Sequence, residues 1–172
     1  FVVPFMGNSP RLLMLQTCPF CWKVRSLLEH LNIDFNEDQL NPLRRKKALA
    51  FAGEWKKVPI WRESEEKFVV DSTPIMLYLD EKYNESKLSN QDDERQKIWL
   101  KWVDEKLAKA TIPILYGSIG SALSSTRTVS KLEKFGFFSR HLYAWTGFPI
   151  MWGIIARTRV KKDGRKPKQL WH

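Results

Sequence analysis

The sequence predicts a small α/β domain in its first half and an all-helical region in its second half. Up to residue 84, short apolar runs of strand length alternate with segments whose apolar residues recur at helical spacing. From residue 91 only the helical spacing continues, after the polar linker ESKLSNQDDER. A chain of 172 residues suffices for one compact domain and part of a second. We expect an extension at 1–10, an α/β domain at 11–84 and a partial helical domain at 91–172.

The first βαβ unit follows from three consecutive patterns. RLLMLQ (11–16) is an apolar run of strand length, and the next segment has apolar residues at helical spacing as far as Leu31. IDFNEDQL (33–40) alternates loosely and ends at a turn, as expected of a second strand.

The rest of the α/β domain is predicted to be a helix, a hairpin and a closing helix. The basic segment RRKKALAFAG is a helix that stops at Gly53, because glycine commonly ends helices. VPIW (58–61) and KFVVD (67–71) are strands around a polar turn, and Ser72 with Pro74 suits the first turn of a helix. The order β-α-β-α-β-β-α describes a small α/β sandwich.

Cys18 and Cys21 lie in the sequence TCPFC, where the first strand gives way to a helix. Unpaired N–H groups and the helix dipole stabilise an anion there, so the pKa of the Cys18 thiol is expected to fall and Cys18 to be the nucleophile. Cys21, almost one turn further on, could resolve a mixed disulfide. Two alternatives remain open: a metal cluster bridged between two chains, and a pair of inert buried cysteines. Two cysteines at this spacing suit a reducing, intracellular compartment.

Two further pairs of residues predict a site for a peptide-like thiol. A cis proline at Pro59 would turn the backbone of Val58 toward a ligand rather than into the sheet. Asp71 and Ser72 open a helix whose hydroxyl and N–H groups can receive a carboxylate. The simpler alternative is that Val58 and Pro59 end a loop and that Asp71 and Ser72 cap a helix.

The net charge of +10 is concentrated in the second half, where residues 91–172 hold 16 Lys and Arg against 7 Asp and Glu. Residues 142–156 carry no charge and are followed directly by a basic tail. This segment is either a buried helix interrupted near Gly147 and Pro149, or an interfacial segment that places residues 142–168 on an anionic membrane. The basic tail would suit nucleic acid, but no recognition fold accompanies it, and we do not expect nucleic acid as a partner.

Residues 11–83 resemble the thioredoxin-fold N-terminal domain of glutathione transferases, with a glutaredoxin-type CPFC. Within that superfamily, the sequences TCPFC-x-KVR, LNPLRRKKALAF and WKKVPIW, and the Asp-Ser before a helix, resemble the membrane-associated prostaglandin E synthase type 2 family. The helical part resembles that family more loosely. Animal members have a tyrosine three positions before the first cysteine, whereas this chain has Leu15.

The resemblance implies a glutathione site in which Cys18 is the catalytic thiol, Val58 pairs with the cysteinyl backbone, and Asp71 and Ser72 hold the γ-glutamyl end. It also implies haem binding alongside glutathione, a helical domain that continues beyond this chain, a homodimer of the full-length protein, membrane association and an organellar location (mitochondrion or Golgi). The implied reaction is isomerisation of a prostaglandin endoperoxide to prostaglandin E.

Together these patterns predict a glutathione-dependent thiol–disulfide oxidoreductase or transferase that acts on a small-molecule or disulfide substrate. Cys18 would attack and Cys21 would resolve. The alternative is a membrane-associated module that binds glutathione or haem without catalysis.

Overall fold

The computed structural model describes residues 9–89 and 94–156. The chain forms two compact units that divide after Leu100, and each is described by itself.

The first unit is built on a four-stranded sheet in the order β2-β1-β3-β4. β1 pairs in parallel with β2 and antiparallel with β3, and β3 pairs antiparallel with β4. The central strand β1 is almost wholly apolar and its last three residues are fully buried. The strands are β1 (Arg11–Met14), β2 (Asn36–Gln39), β3 (Ile60–Arg62) and β4 (Phe68–Val70).

Three helices accompany this sheet: α1 (Pro19–His30), α2 (Arg45–Ala48) and α3 (Ser72–Asn84). α1 buries one stripe of its surface, and Asn32, with a φ of 51°, turns the chain away at its end. The helix expected up to Gly53 is instead the short α2 followed by a 3₁₀ turn at Ala50–Ala52, with the fully buried Leu49 between them.

The predicted α/β architecture is confirmed: a thioredoxin-like domain whose core lies between the sheet and its helices. Trp61, Ile75 and Leu79 belong to this core together with the apolar residues of β1 and α1. α3 begins directly after β4, so its first turn lies at the end of that strand.

Glu63, in the β3–β4 hairpin, is surrounded by five donors, three of which belong to α3. Its carboxylate accepts hydrogen bonds from Trp61 Nε1 (3.1 Å), Tyr78 Oη (2.8 Å) and Lys82 Nζ (2.7 Å). Lys67 Nζ also lies 3.1 Å away, and Tyr83 Oη 3.3 Å away. Burial raises the pKa of Glu63, but the hydrogen bonds from Lys82, Trp61, Tyr78 and Lys67 outweigh that effect and lower the pKa to about 2.

Asp80 fixes the segment that leaves α3. Its buried carboxylate accepts hydrogen bonds from the side chain of Asn84, the backbone of Leu88, and both the N–H and the hydroxyl of Ser89. Burial raises the pKa of Asp80, and these hydrogen bonds lower it further than burial raises it. The chain after α3 is thereby held against the helix as far as Ser89.

From residue 94 onward every regular element is helical, which confirms the prediction for the second half within the described residues. Ser118 and Ser121 form a capping box at the start of α6, since each side chain accepts a hydrogen bond from the other's N–H. Tyr116 and Ala122 are the buried centre of this unit's core. The helices are α4 (Glu94–Trp102), α5 (Ala108–Tyr116), α6 (Ile119–Leu132) and α7 (Phe137–Ile150), with π-helical turns at Val103–Leu107 and Met151–Ala156.

The uncharged segment 142–156 is a helix with one exposed side. It forms most of α7 and the π-helical turn after it, with Pro149 inside the helix. Leu142 and Trp145 are exposed, whereas Gly147 is buried. Of the two interpretations of this segment, a buried helix agrees with Gly147 but not with Leu142 and Trp145, and the interfacial one remains a prediction. No helix among the described residues is both long enough and apolar enough to cross a membrane, and the basic tail lies outside those residues.

Candidate functional site

Cys18 stands at the junction of loop and helix, as the sequence predicts. It is the N-cap of α1, with extended backbone (φ −87°, ψ 116°). Its carbonyl accepts hydrogen bonds from the N–H groups of Cys21 (3.1 Å) and Trp22 (3.2 Å), and its own N–H donates to the carbonyl of Leu15 (3.2 Å). Cys18 as a residue is half-buried, whereas the rest of the first turn of α1 includes the exposed Pro19.

Cys21 differs from Cys18 in its surroundings. It is fully buried within the core of the first unit, and the two cysteines are not joined by a disulfide. A bulky substrate cannot reach a fully buried sulfur. The sulfur of Cys18, almost one helical turn away, can reach that of Cys21. This arrangement is compatible both with a resolving thiol and with a small apolar residue of the core.

Trp22 holds the loop that precedes Cys18, a role that the sequence did not reveal. Its indole Nε1 donates a hydrogen bond to the carbonyl of Gln16 over 2.7 Å. The side chain of Gln16 in turn accepts from Gln39 Nε2 at the end of β2 (3.1 Å). Arg25 stacks over the Trp22 ring, 4.6 Å from its centre. The two hydrogen bonds join residues of different elements, and no spacing in the sequence predicts them. Trp22 and Arg25, in contrast, are neighbours on α1.

The Val58–Pro59 peptide is cis and directly precedes β3. Pro59 is fully buried, and Val58 is 9% exposed. Within residues 9–89 and 94–156, the N–H and C=O of Val58 make no hydrogen bond. The backbone of Val58 therefore has both a donor and an acceptor without a partner among the described residues.

Asp71 and Ser72 form the start of α3. Asp71 has a φ of 72°, a region that favours glycine, and its carboxylate accepts a hydrogen bond from the Ser72 N–H over 2.7 Å. Ser72 is fully buried, and its hydroxyl oxygen has no hydrogen-bond partner in the described part of the chain. A buried hydroxyl without a partner is uncommon because its desolvation is uncompensated. Unfavourable backbone geometry often accompanies binding sites.

The strand register places all three predicted groups at one end of the sheet. Ile60 pairs with Leu13 near the end of β1 and with Val70 at the end of β4. The chain therefore passes this edge three times: after β1 toward Cys18, before β3 at Val58, and after β4 at Asp71. Lys23 Nζ also donates to Thr73 Oγ1 over 2.8 Å and so links the second turn of α1 to the first turn of α3.

In the described part of the first unit, no imidazole lies near Cys18 to serve as an axial ligand of a haem iron. A haem iron needs an axial ligand, most often an imidazole or a thiolate. His30 is the last residue of α1, about 18 Å along the axis from Cys18 at a rise of about 1.5 Å per residue. Cys18 itself is the thiol on which the chemistry below depends, so no step involves haem. Among the described residues, no group of three or more His, Cys, Asp or Glu is arranged to hold a metal ion.

Comparison with known families gives a match over the first unit. Residues 12–87 match the family described as "Glutathione S-transferase, N-terminal domain". This range includes Cys18, Val58 and Ser72.

Two curated relatives cover most of the chain. Prostaglandin E synthase 2 of Danio rerio is 24% identical over 88% of this chain and 51% of its own length. Prostaglandin E synthase 2 of Mus musculus is 23% identical over 91% of this chain and 52% of its own length. The chain thus spans about half the length of these relatives.

Among solved structures, the chain is similar in fold to the glutathione transferase URE2P6 of Phanerochaete chrysosporium, crystallised with oxidised glutathione. The TM-score is 0.54, the identity is 15%, and the match covers 96% of both chains. At this identity the similarity concerns the fold alone.

Proposed function

Since residues 12–87 match the glutathione S-transferase N-terminal domain family, we propose that this chain binds glutathione and uses it in thiol–disulfide exchange or transfer at Cys18. The observation that carries the proposal is the convergence of three groups at one end of the sheet: a half-buried cysteine at a helix N-terminus, an unpaired backbone at Val58, and a helix start at Ser72.

Glutathione is a tripeptide, so its recognition uses peptide chemistry. The unpaired N–H and C=O of Val58 can exchange hydrogen bonds with the cysteinyl residue of glutathione as two strands do. The γ-glutamyl carboxylate would lie at the start of α3, where the unpartnered Ser72 hydroxyl and the helix N-terminus both favour an anion. This pairing would bring the glutathione sulfur toward Cys18.

The proposed reaction is the reduction of a mixed disulfide. The Cys18 thiolate attacks the glutathione sulfur of a substrate–glutathione disulfide. A Cys18–glutathione disulfide forms, the substrate sulfur leaves with the bonding electron pair and takes up a proton, and the substrate is reduced. A second glutathione thiolate then attacks the glutathione sulfur of that intermediate. Glutathione disulfide is released and Cys18 is restored.

Cys21 offers a second route. Its thiolate can attack the Cys18 sulfur, which releases reduced glutathione and leaves a Cys18–Cys21 disulfide that two further glutathione molecules reduce. Burial of Cys21 restricts it to this intramolecular role. A glutathione-coupled reductase assay on the wild type and on Cys18→Ser tests the proposal, because activity must require both glutathione and the Cys18 thiol.

A prostaglandin endoperoxide isomerase is the second candidate. It is favoured by two relatives that carry the name prostaglandin E synthase 2 and align with 88% and 91% of the chain. Leu15, whose carbonyl accepts the Cys18 N–H, supplies no hydroxyl beside the thiol. Incubation with an endoperoxide and glutathione, followed by separation of the products, tests this candidate. Prostaglandin E formation equal to the uncatalysed rate would exclude it for this chain.

A non-catalytic glutathione-binding module, a homodimer of the full-length protein and contact of residues 142–168 with a membrane remain predictions. A binding module would take up glutathione with the same affinity in wild type and Cys21→Ser and would show no turnover with any disulfide. Sedimentation velocity tests the homodimer. Co-sedimentation with anionic vesicles at low and high salt tests the membrane contact, since an electrostatic contact weakens with salt.

A further inference from the structure

A groove of about 390 Å³ lies between α6 and α7 in the second unit. Its apolar walls include Leu123 on α6 and the rings of Phe137 and Trp145 on α7. The volume is within the range of small-molecule sites, roughly 300–1,000 Å³. All of its lining residues belong to the second unit, whereas Cys18 and the residues proposed to hold glutathione belong to the first. We call it the α6–α7 groove.

Positive charge lines both sides of the α6–α7 groove. Arg127 and Lys131 stand one helical turn apart on the same face of α6, and Arg140 faces them from α7. The residues recorded along the groove include no carboxylate. Residues 119–150 contain four Lys and Arg and a single acid, Glu133, which is 3% exposed and does not line the groove. None of the described residues that line the groove is acidic, so these cations have no negative partner within it.

The aromatic rings of the α6–α7 groove are unusually exposed. Phe137 is 73% exposed and Trp145 is 79% exposed. They are eight residues apart, about two helical turns, and so lie on one side of α7. Large rings that remain exposed next to cations offer a surface on which a flat apolar group can stack while its anionic group pairs with an arginine.

We propose that the α6–α7 groove binds a small organic anion, namely a carboxylate attached to a flat aromatic body. The body lies between Leu123 and the two rings, and the carboxylate lies between the cations of α6 and Arg140. A nucleic-acid strand would need a longer basic track for its successive phosphates than this groove provides. The proposal does not depend on glutathione binding, because it concerns the other unit.

The test uses the full chain and the fluorescent carboxylate 1-pyrenebutanoate, with its uncharged methyl ester as the matched ligand. Saturable binding of one carboxylate per chain is expected, weakened about tenfold or more in the ester and in the double variant Arg127→Gln/Lys131→Gln. The control Lys101→Gln/Lys106→Gln removes the same charge from the second unit outside the groove and should bind as the wild type does. Trp145→Ala should also weaken binding.

Several results would overturn the proposal. The first is equal affinity of the protein for the acid and its ester. The second is a loss of affinity for 1-pyrenebutanoate in the control double variant as large as in Arg127→Gln/Lys131→Gln, or wild-type affinity in Arg127→Gln/Lys131→Gln. The third is displacement of the probe by saturating glutathione. Binding of anionic vesicles or a single-stranded oligonucleotide through Arg127 and Lys131, without binding of pyrenebutanoate, would likewise overturn it and assign the surface to another partner. Circular dichroism checks that each variant is folded. If Arg127→Gln/Lys131→Gln does not fold, the single variant Arg140→Gln takes its place in the binding experiment.

Discussion

The ammonium group of Lys23 on α1 donates a hydrogen bond to the hydroxyl of Thr73 on α3 over a distance of 2.8 Å. Lys23 lies two residues after Cys21, and Thr73 follows Ser72 directly. The hydrogen bond therefore links the helix that begins at the proposed catalytic thiol to the helix that begins at the proposed γ-glutamyl site. We consider Thr73 a positioning residue for glutathione.

Thr73→Val should raise the KM for glutathione about two- to fivefold while leaving kcat nearly unchanged, because a hydrogen bond to a charged group contributes about 1.5–3 kcal/mol at most and this one is only partly buried. Steady-state kinetics at varied glutathione concentration measures this. Thr111→Val is the matched control, since the Thr111 hydroxyl bonds only within α5, to the carbonyl of Ala108. A fall in kcat with an unchanged KM would contradict the positioning role.

Ser72→Ala should weaken glutathione binding about tenfold and leave the free energy of unfolding of the unliganded protein unchanged or slightly increased. The Ser72 hydroxyl is buried without a partner, so its removal relieves an unfavourable desolvation in the free protein. Isothermal titration with glutathione and urea denaturation measure the two effects. A destabilised protein that binds glutathione with full affinity would show that the hydroxyl serves the fold rather than the ligand.

Glu63→Gln should lower the free energy of unfolding by about 1–3 kcal/mol near neutral pH, after allowance for solvent screening of Lys67 and Lys82. The folded pKa of about 2 lies below the ordinary value of 4.5, so the charged carboxylate stabilises the fold above about pH 4.5. That contribution is lost as pH falls from about 4.5 toward 2. Near pH 2 the free energies of unfolding of the wild type and Glu63→Gln should therefore become similar.

Urea denaturation at several pH values measures this convergence. Glu65→Gln, on the same hairpin and largely exposed, is the control and should change stability by less than about 0.5 kcal/mol. A difference between wild type and Glu63→Gln that stays constant down to pH 2 would show that the shape of the hydrogen-bonding group, rather than its charge, stabilises the hairpin.

Cys21→Ser should retain reduction of a small glutathione mixed disulfide within about threefold of the wild type, because a second glutathione can restore Cys18. Reduction of a protein disulfide, which needs the intramolecular step, should fall by at least about tenfold. Parallel assays with the two substrates separate these activities. Equal loss with both substrates would place Cys21 in the first attack, against its complete burial.

The sequence predicted the elements whose apolar spacing is strong. The apolar run of β1 and the stripe of α1 are found where expected, since a buried face imposes its period on the sequence. The prediction of β2 rested on a weak alternation of apolar and polar residues, because all four residues of the strand, Asn36–Gln39, are polar. A strand at the edge of a sheet tolerates this composition. The break after α2 and the π-helical turn at Val103–Leu107 were not predicted. The π-helical turn at Met151–Ala156 begins two residues after Pro149, where the sequence predicts an interruption.

The candidate site was predicted as separate positions rather than as an arrangement. Cys18 at a helix start and the pairs at Val58 and Asp71 are visible locally, because turn and cap residues carry their own signals. The link from Lys23 to Thr73 joins residues 50 positions apart, and the missing partner of the Ser72 hydroxyl becomes apparent only after folding. Both depend on the sheet register that brings the three chain passages to one edge.

The central claim is that Cys18 is the nucleophile of a glutathione-dependent reaction, and the most direct measurement is the glutathione-coupled reduction of a small mixed disulfide by wild type, Cys18→Ser and Cys21→Ser. The account predicts that Cys18→Ser lowers the rate by at least about 100-fold, to near the uncatalysed reaction, whereas Cys21→Ser remains within about threefold of the wild type. A Cys18→Ser protein that is folded, binds glutathione and reduces the disulfide at the wild-type rate would contradict it.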